Sequence, residues 1–400
     1  MLPVADELSF LPFFTRIPRT EIDKAAPRFE RVALLGGEPL WSEGAESGSL
    51  AIVLSGEMEV SSRGKAIATV RTREIVGEAS AFFAGQPRTA SLAATRACDV
   101  LILRTADLRA LRWQKSAVYN ALLDVALQTL VRRVQATNAR IAEFAAGTVA
   151  SPERKEPGAL ARLWRTLRPG GPTGPCPDLG PLLRSQPGLR DMEPEVETKL
   201  AAAFVAEPSS EGQVIVLEGE PGLAGYIVAE GPVDVLRNVR GDRAELLIQL
   251  KPGQQFGMNT LVATTPRTAS CVAAGAGWVY RMDGDAYERL TGDARRLWRE
   301  SILATLAGQI ANANGALDKA MRAARAKGGS PAKKGNVGVG EFTDSSAGKS
   351  GGAKQDGFSK LLAASGYLES LPASDDALAG LEFVVDEDMK RNPKNRGHVR

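Results

Sequence analysis

Apolar and polar residues alternate in short bursts along much of the chain. SLAIVLSGEMEV (49–60), KAIATV (65–70) and DVLILR (99–104) form one group. GYIVAEGPVDVL (225–236), AELLIQL (244–250) and GWVYRM (277–282) form another. A period of two predicts half-buried strands, and short strands at this spacing predict a barrel or jelly roll. Gly56 in LSGE and Gly231 in AEGP each fall between two strand-like runs. A tight turn there calls for positive φ, which glycine adopts freely.

Helical periods flank each β block. Residues 6–30 read as a short amphipathic pair broken at Pro18, and residues 184–206 take the same place in the second group. A longer helix follows each block. Leu123, Leu127, Leu130, Val134, Thr137, Ile141 and Phe144 step by three and four, as do Leu303, Leu306, Ile310, Ala313, Leu317 and Ala320. Such spacing draws one continuous apolar stripe. The stripe either packs on its own barrel or pairs with another helix, from a second subunit or from the other repeat. A homodimer through helix 115–146 is one expectation.

The two groups are copies. Glu43, Gly44, Val53, Gly56 and Val60 match Glu218, Gly219, Val228, Gly231 and Val235 at one offset of 175. PRTAS at 87–91 recurs at 266–270, at an offset of 179. The fold class is therefore α+β, mainly β, with two tandem barrels and flanking helices. The expected units are 1–146, a proline-rich linker at 147–181, 182–325, and a disordered tail at 326–400 that could hold a docking segment. Seven prolines between 147 and 181 exclude a continuous helix. The Gly/Ser/Lys-rich run from about 326 cannot bury enough apolar surface to fold.

Composition narrows the chemistry. The apolar fraction of 44% is ample for real cores, and a net charge of +3 provides no global field for nucleic acid. Three cysteines without a CxxC pair argue against a disulfide framework and a zinc site. The single histidine is His398, so chemistry needing a positioned imidazole is not expected. No basic leader is legible, and no run reaches the roughly 18 apolar residues of a membrane span. The expectation is a cytoplasmic protein without metal or catalytic residues, and not an enzyme.

The stretch GEASAFFAGQPRTAS (77–91) carries a different chemistry. Arg88 offers a fork of donors suited to a phosphate. Glu78 can accept from a ribose hydroxyl and orient the Arg. Gly77 permits close backbone approach, and the small residues Ala79 and Ser80 can present N–H groups without crowding.

Gly-Glu, a short helix, then Arg-Thr-Ala behind a glycine turn resembles the phosphate-binding cassette of the cyclic nucleotide-binding domain family. That family includes catabolite activator protein, the regulatory subunits of cAMP-dependent kinase and cyclic nucleotide-gated channels. The resemblance covers roughly residues 10–145 and, more loosely, 182–322. It implies cAMP or cGMP as regulatory ligand, with Gly77, Glu78, Ala79, Ser80, Arg88 and Thr89 around it. Thr89 leaves the base open, while likeness to the activator favours cAMP. In the activator, two residues of the dimer helix reach the purine, and their counterparts here are Thr137 and Asn138. No recognition helix follows, so direct DNA binding is not expected.

In the second copy, FGMNTLVATTPRTAS, Met258 stands where the acceptor Glu belongs, while Gly257, Arg267 and Thr268 remain. This copy is expected to bind weakly, not at all, or to take another ligand, and to serve as a dimerisation or scaffold module. The resulting reading is a cyclic nucleotide receptor acting on a separate effector protein. The alternative is a scaffold whose barrels no longer bind nucleotide.

Overall fold

The computed structural model describes residues 2–83, 87–145, 171–240, 243–263 and 265–326. The expected tail and docking segment, and most of the linker, lie outside the described residues. The first repeat contains α1 (Val4–Ser9), α2 (Arg19–Ala25), β1 (Phe29–Leu34), β2 (Pro39–Trp41), β3 (Ser49–Ser55), β4 (Glu57–Ser62), β5 (Lys65–Arg71) and β6 (Ile75–Val76). It continues with α3 (Glu78–Ala81), β7 (Ser91–Ala94), β8 (Cys98–Arg104), α4 (Thr105–Trp113) and α5 (Ala117–Ala145). The second repeats that order. It has α6 (Leu179–Arg184), α7 (Pro194–Ala201), β9 (Val205–Ser209), β10 (Val214–Val216), β11 (Ala224–Glu230), β12 (Val233–Arg240), β13 (Arg243–Leu250) and β14 (Gln255–Phe256). Then come α8 (Asn259–Val262), β15 (Ser270–Ala273), β16 (Gly277–Asp283), α9 (Gly284–Arg289) and α10 (Gly292–Ala326).

Each repeat folds into two four-stranded antiparallel sheets. The orders β1-β8-β3-β6 and β2-β7-β4-β5 recur as β9-β16-β11-β14 and β10-β15-β12-β13. Alternation sets which side faces in. On β4, Met58 and Val60 are buried while Glu59 is exposed, as a period of two requires. Met58, Val70, Leu92 and Val100 fill the first barrel, and Val216, Val228, Val233 and Val279 the second. The β3–β4 turn passes through Gly56 at φ 94°. A Cβ there would stand 2.5 Å from the Ala97 carbonyl oxygen, so only glycine fits.

The long helices pair with each other. α5 and α10 pack side by side and share one apolar core with the helical ends of both barrels. Leu123, Leu127, Leu130 and Val134 on α5 are buried, as are Ile302, Leu306, Ile310 and Leu317 on α10. From Leu123 to Val134 the stripe is thus covered by the other repeat of the same chain. A homodimer through helix 115–146 would have to use a part of α5 other than the face at Leu123–Val134.

Candidate functional site

The first cassette begins where β6 ends. Gly77 turns the chain at φ 88° and α3 starts at Glu78. A Cβ on Gly77 would lie 2.6 Å from Arg88 Nη1 and 3.0 Å from the Ser49 carbonyl oxygen. The glycine therefore serves both the backbone angle and the approach of the arginine. On the far side, the backbone of Arg88 is clamped to the β2–β3 loop. Its N–H donates to Ala45 O at 2.8 Å, and its carbonyl accepts from Gly44 N at 2.8 Å.

The Arg88 side chain is 4% exposed. Nη2 donates to Ser49 O at 2.7 Å and Ser49 Oγ at 3.0 Å, and Nη1 approaches Ser80 Oγ at 3.5 Å. The Trp41 ring lies 3.7 Å from the guanidinium carbon, a cation–π contact. Nε is buried without a hydrogen-bond partner. Burial brings the guanidinium down to about 10, opposed by the charge of Glu78.

Glu78 is fully buried. Its Oε1 accepts from Arg133 Nη1 of α5 at 2.7 Å, and Arg133 Nη2 donates to the Ile75 carbonyl at 3.2 Å. Its Oε2 is buried without a partner. Burial raises the carboxyl above its ordinary 4.5, against the pull of Arg133 and then Arg88. The expectation that Glu78 orients Arg88 directly is corrected here. Serines and a tryptophan orient Arg88, while Glu78 is paired with a helix that arrives 55 residues later.

The remaining expected residues divide. Ser80 is buried and supplies its hydroxyl to Arg88, but its N–H donates to Gly77 O at 3.3 Å within the turn. Ala79 and Thr89 are half-buried beside these groups. Thr137 stands one turn beyond Arg133 and so shares the α5 face that meets Glu78. Asn138 is about 100° further round the helix. Arg133, Trp41 and Ser49 escape the sequence reading. A buried carboxylate does demand a cation, and the RR pair within the helix stripe (Arg132, Arg133) is the nearest sequence signal for one.

The second cassette is closed on itself. Gly257 has φ 71°, and Arg267 Nη1 donates to its carbonyl at 3.0 Å. The Arg267 side chain lies on Gly222, where a Cβ would come within 2.4 Å of Nε. Met258 is buried in the apolar core, over Gly225, where a Cβ would meet its sulfur at 2.4 Å. The first repeat has Leu50 at the place of Gly225. The methionine and the glycine are therefore complementary: one fills the space the other leaves. Arg267 is 8% exposed, whereas Thr268 is exposed to solvent.

A fold of two like barrels, each with a glycine-led cassette ending in a buried Arg, is what the family comparison recognises. The sequence matches the cyclic nucleotide-binding domain over residues 31–114 and 207–293. The chain carries two cyclic nucleotide-binding domains in tandem. The first domain holds Glu78 and Arg88, and the second holds Met258 and Arg267.

The chain is also similar to a type II regulatory subunit of cAMP-dependent protein kinase from Drosophila melanogaster. They are 34% identical over 125 residues, 30% of this chain and 32% of that protein. A regulatory subunit from Colletotrichum orbiculare is 30% identical over 119 residues, 30% of each chain. The chain spans about a third of the length of these curated relatives. Among solved structures, the regulatory domain of Toxoplasma gondii PKA with cAMP aligns at 20% identity and a TM-score of 0.27. That alignment covers 74% of this chain and 94% of that one. Among the described residues no cluster of ligating side chains could hold a metal ion, and no helix is long and apolar enough to cross a membrane.

Proposed function

We propose that the chain is a cyclic nucleotide receptor that binds one ligand, in the first domain, and passes the event to a separate effector protein. The observation that carries this reading is a pair of buried polar atoms without partners, Glu78 Oε2 and Arg88 Nε. They belong to groups of opposite charge on one cassette. An unpaired buried polar atom costs free energy, and one molecule with a hydroxyl donor and an anionic acceptor would satisfy both. A ribose hydroxyl and a cyclic phosphate on the same nucleotide have those two properties.

Arg88 takes the phosphate, exchanging its hold on Ser49 for an anion that its buried charge favours. Glu78 accepts from the ribose hydroxyl through Oε2 while Oε1 keeps Arg133. Thr137, on the Arg133 face of α5, is read as the residue that meets the base, with Thr89 at the phosphate end. cAMP is the favoured ligand, in keeping with relatives named as cAMP-dependent kinase subunits, and cGMP is the alternative. The same relatives make a kinase catalytic subunit the first effector to examine. Three free cysteines fit a reducing, cytoplasmic setting.

The second domain is read as a scaffold, since Met258 removes the acceptor and Arg267 is spent on the backbone. Equilibrium binding of fluorescent cAMP to the full chain tests the reading, with unlabelled cGMP as competitor. Saturable binding that Arg88→Ala abolishes supports it. Absence of binding to either nucleotide at saturating concentration overturns it.

A further inference from the structure

The strand registers match the two cassettes position by position. Trp41 pairs with Leu92 and Val216 with Cys271, and Leu92 and Cys271 each directly follow PRTAS. Ser49 pairs with Arg104 at the start of β3, and Ala224 with Asp283 at the start of β11. Trp41 is therefore equivalent to Val216, Ser49 to Ala224, and the loop 42–48 to 217–223. Both loops clamp the arginine backbone in the same way. The Gly44–Arg88–Ala45 bonds recur as Gly219 N donating to Arg267 O at 2.9 Å and Arg267 N donating to Glu220 O at 3.0 Å. Within this common frame Ser47 stands where the second domain has Gly222.

The arginine side chains nonetheless part ways. The Arg267 guanidinium rests on Gly222, where a Cβ would lie 2.4 Å from Nε, 2.7 Å from Nη2 and 2.8 Å from Cζ. A serine at that position excludes such a resting place. Arg88 lies instead on the Trp41 ring, with Nη2 on Ser49 and Nη1 toward Ser80. Val216 has no ring and Ala224 no hydroxyl to offer Arg267. A ring against the guanidinium face uses none of its in-plane donors. Nε is the donor left over, buried without a partner. Ser47 is half-buried, and its Oγ is likewise buried without a partner among the described residues. By its match to Gly222, Ser47 borders the Nε edge of the arginine. The two atoms do not bond to each other, and one anionic oxygen would satisfy both.

We infer that Ser47 is a phosphate-binding residue of the first domain, its hydroxyl donating to the same ligand that Arg88 takes through Nε. The inference rests on the ligand reading above. A hydroxyl suits the place, because it adds a bond to an anion without a second charge to bury. The same position accounts for the closed second cassette. Glycine at 222 gives up the donor and admits the guanidinium in one change.

Competition binding to the full chain tests this. The ligands are whichever of cAMP and cGMP the wild type binds more tightly, and the two phosphorothioate diastereomers of that nucleotide, each with sulfur in place of one exocyclic oxygen. Ser47→Ala is expected to weaken the parent nucleotide at least about tenfold, the worth of one hydrogen bond to a charged group. Sulfur accepts poorly, so the diastereomer with sulfur toward Ser47 already lacks the bond and is expected to lose much less. The affinity ratio of the two diastereomers therefore changes in Ser47→Ala by a similar factor. A loss shared equally by all three ligands marks a merely structural role and overturns the inference, as does wild-type affinity in Ser47→Ala. A wild type that binds neither nucleotide overturns the ligand reading, and the inference with it.

Discussion

Arg133 on α5 donates to the buried carboxylate of Glu78 at 2.7 Å, and so fastens the long helix to the first cassette. Removing one partner of a buried pair leaves the other charge uncompensated. Arg133→Ala is expected to destabilise the chain by about 3 kcal/mol. Adding Glu78→Gln to Arg133→Ala is expected to recover much of that loss, because the stranded charge is gone. Urea unfolding of the single and double variants measures both.

The raised carboxyl of Glu78 gives ligand binding a pH dependence. The ionised form is the stronger acceptor for a ribose hydroxyl, so affinity is expected to fall as pH drops through the raised value, above 4.5. Stability runs the other way. A carboxyl raised in the folded state adds stability that is fully present below its unfolded value, and this is lost as pH rises through the folded value. Affinity and unfolding midpoint measured from neutral pH down to about 4 check the two slopes, bracketing the ordinary carboxyl value. Glu78→Gln is expected to flatten both.

Gly77→Ala strains a backbone at φ 88° and sets a methyl 2.6 Å from Arg88 Nη1. The strain is expected to cost about 1–3 kcal/mol. Displacing the guanidinium is expected to weaken cAMP binding at least about tenfold, the worth of one charged hydrogen bond. Thermal unfolding and a binding isotherm on the same variant separate the two effects.

The second pocket is expected to need more than one substitution to bind nucleotide. Met258→Glu places a carboxylate in an apolar core, over Gly225. The expected result is a loss of about 3 kcal/mol and no second binding event. Unfolding and calorimetric stoichiometry on that variant provide the check.

The barrels were legible because apolar bursts at 49–60 and 225–236 mark strands and Gly56 and Gly231 mark the turns between; alternation holds on β4, whereas β3 and β11 are buried on both faces. The cassette was legible because Gly77, Glu78 and Arg88 are local in sequence and each has a steric or ionic reason to be there. What Glu78 pairs with was not legible, since Arg133 reaches it through the packing of α5, a relation no local pattern encodes. The partner of the α5 stripe was likewise open. An apolar stripe states that it must be covered, and only the packing of Leu127 and Val134 against α10 decides by what. The role of Met258 was half legible: the lost acceptor shows in the sequence, while its fit over Gly225 needs three dimensions.

Calorimetric titration of the full chain with cAMP tests the central claim most directly. The account predicts one site per chain, abolished by Arg88→Ala and unchanged by Arg267→Ala. Two equivalent sites, or a single site lost with Arg267 and kept without Arg88, would contradict it.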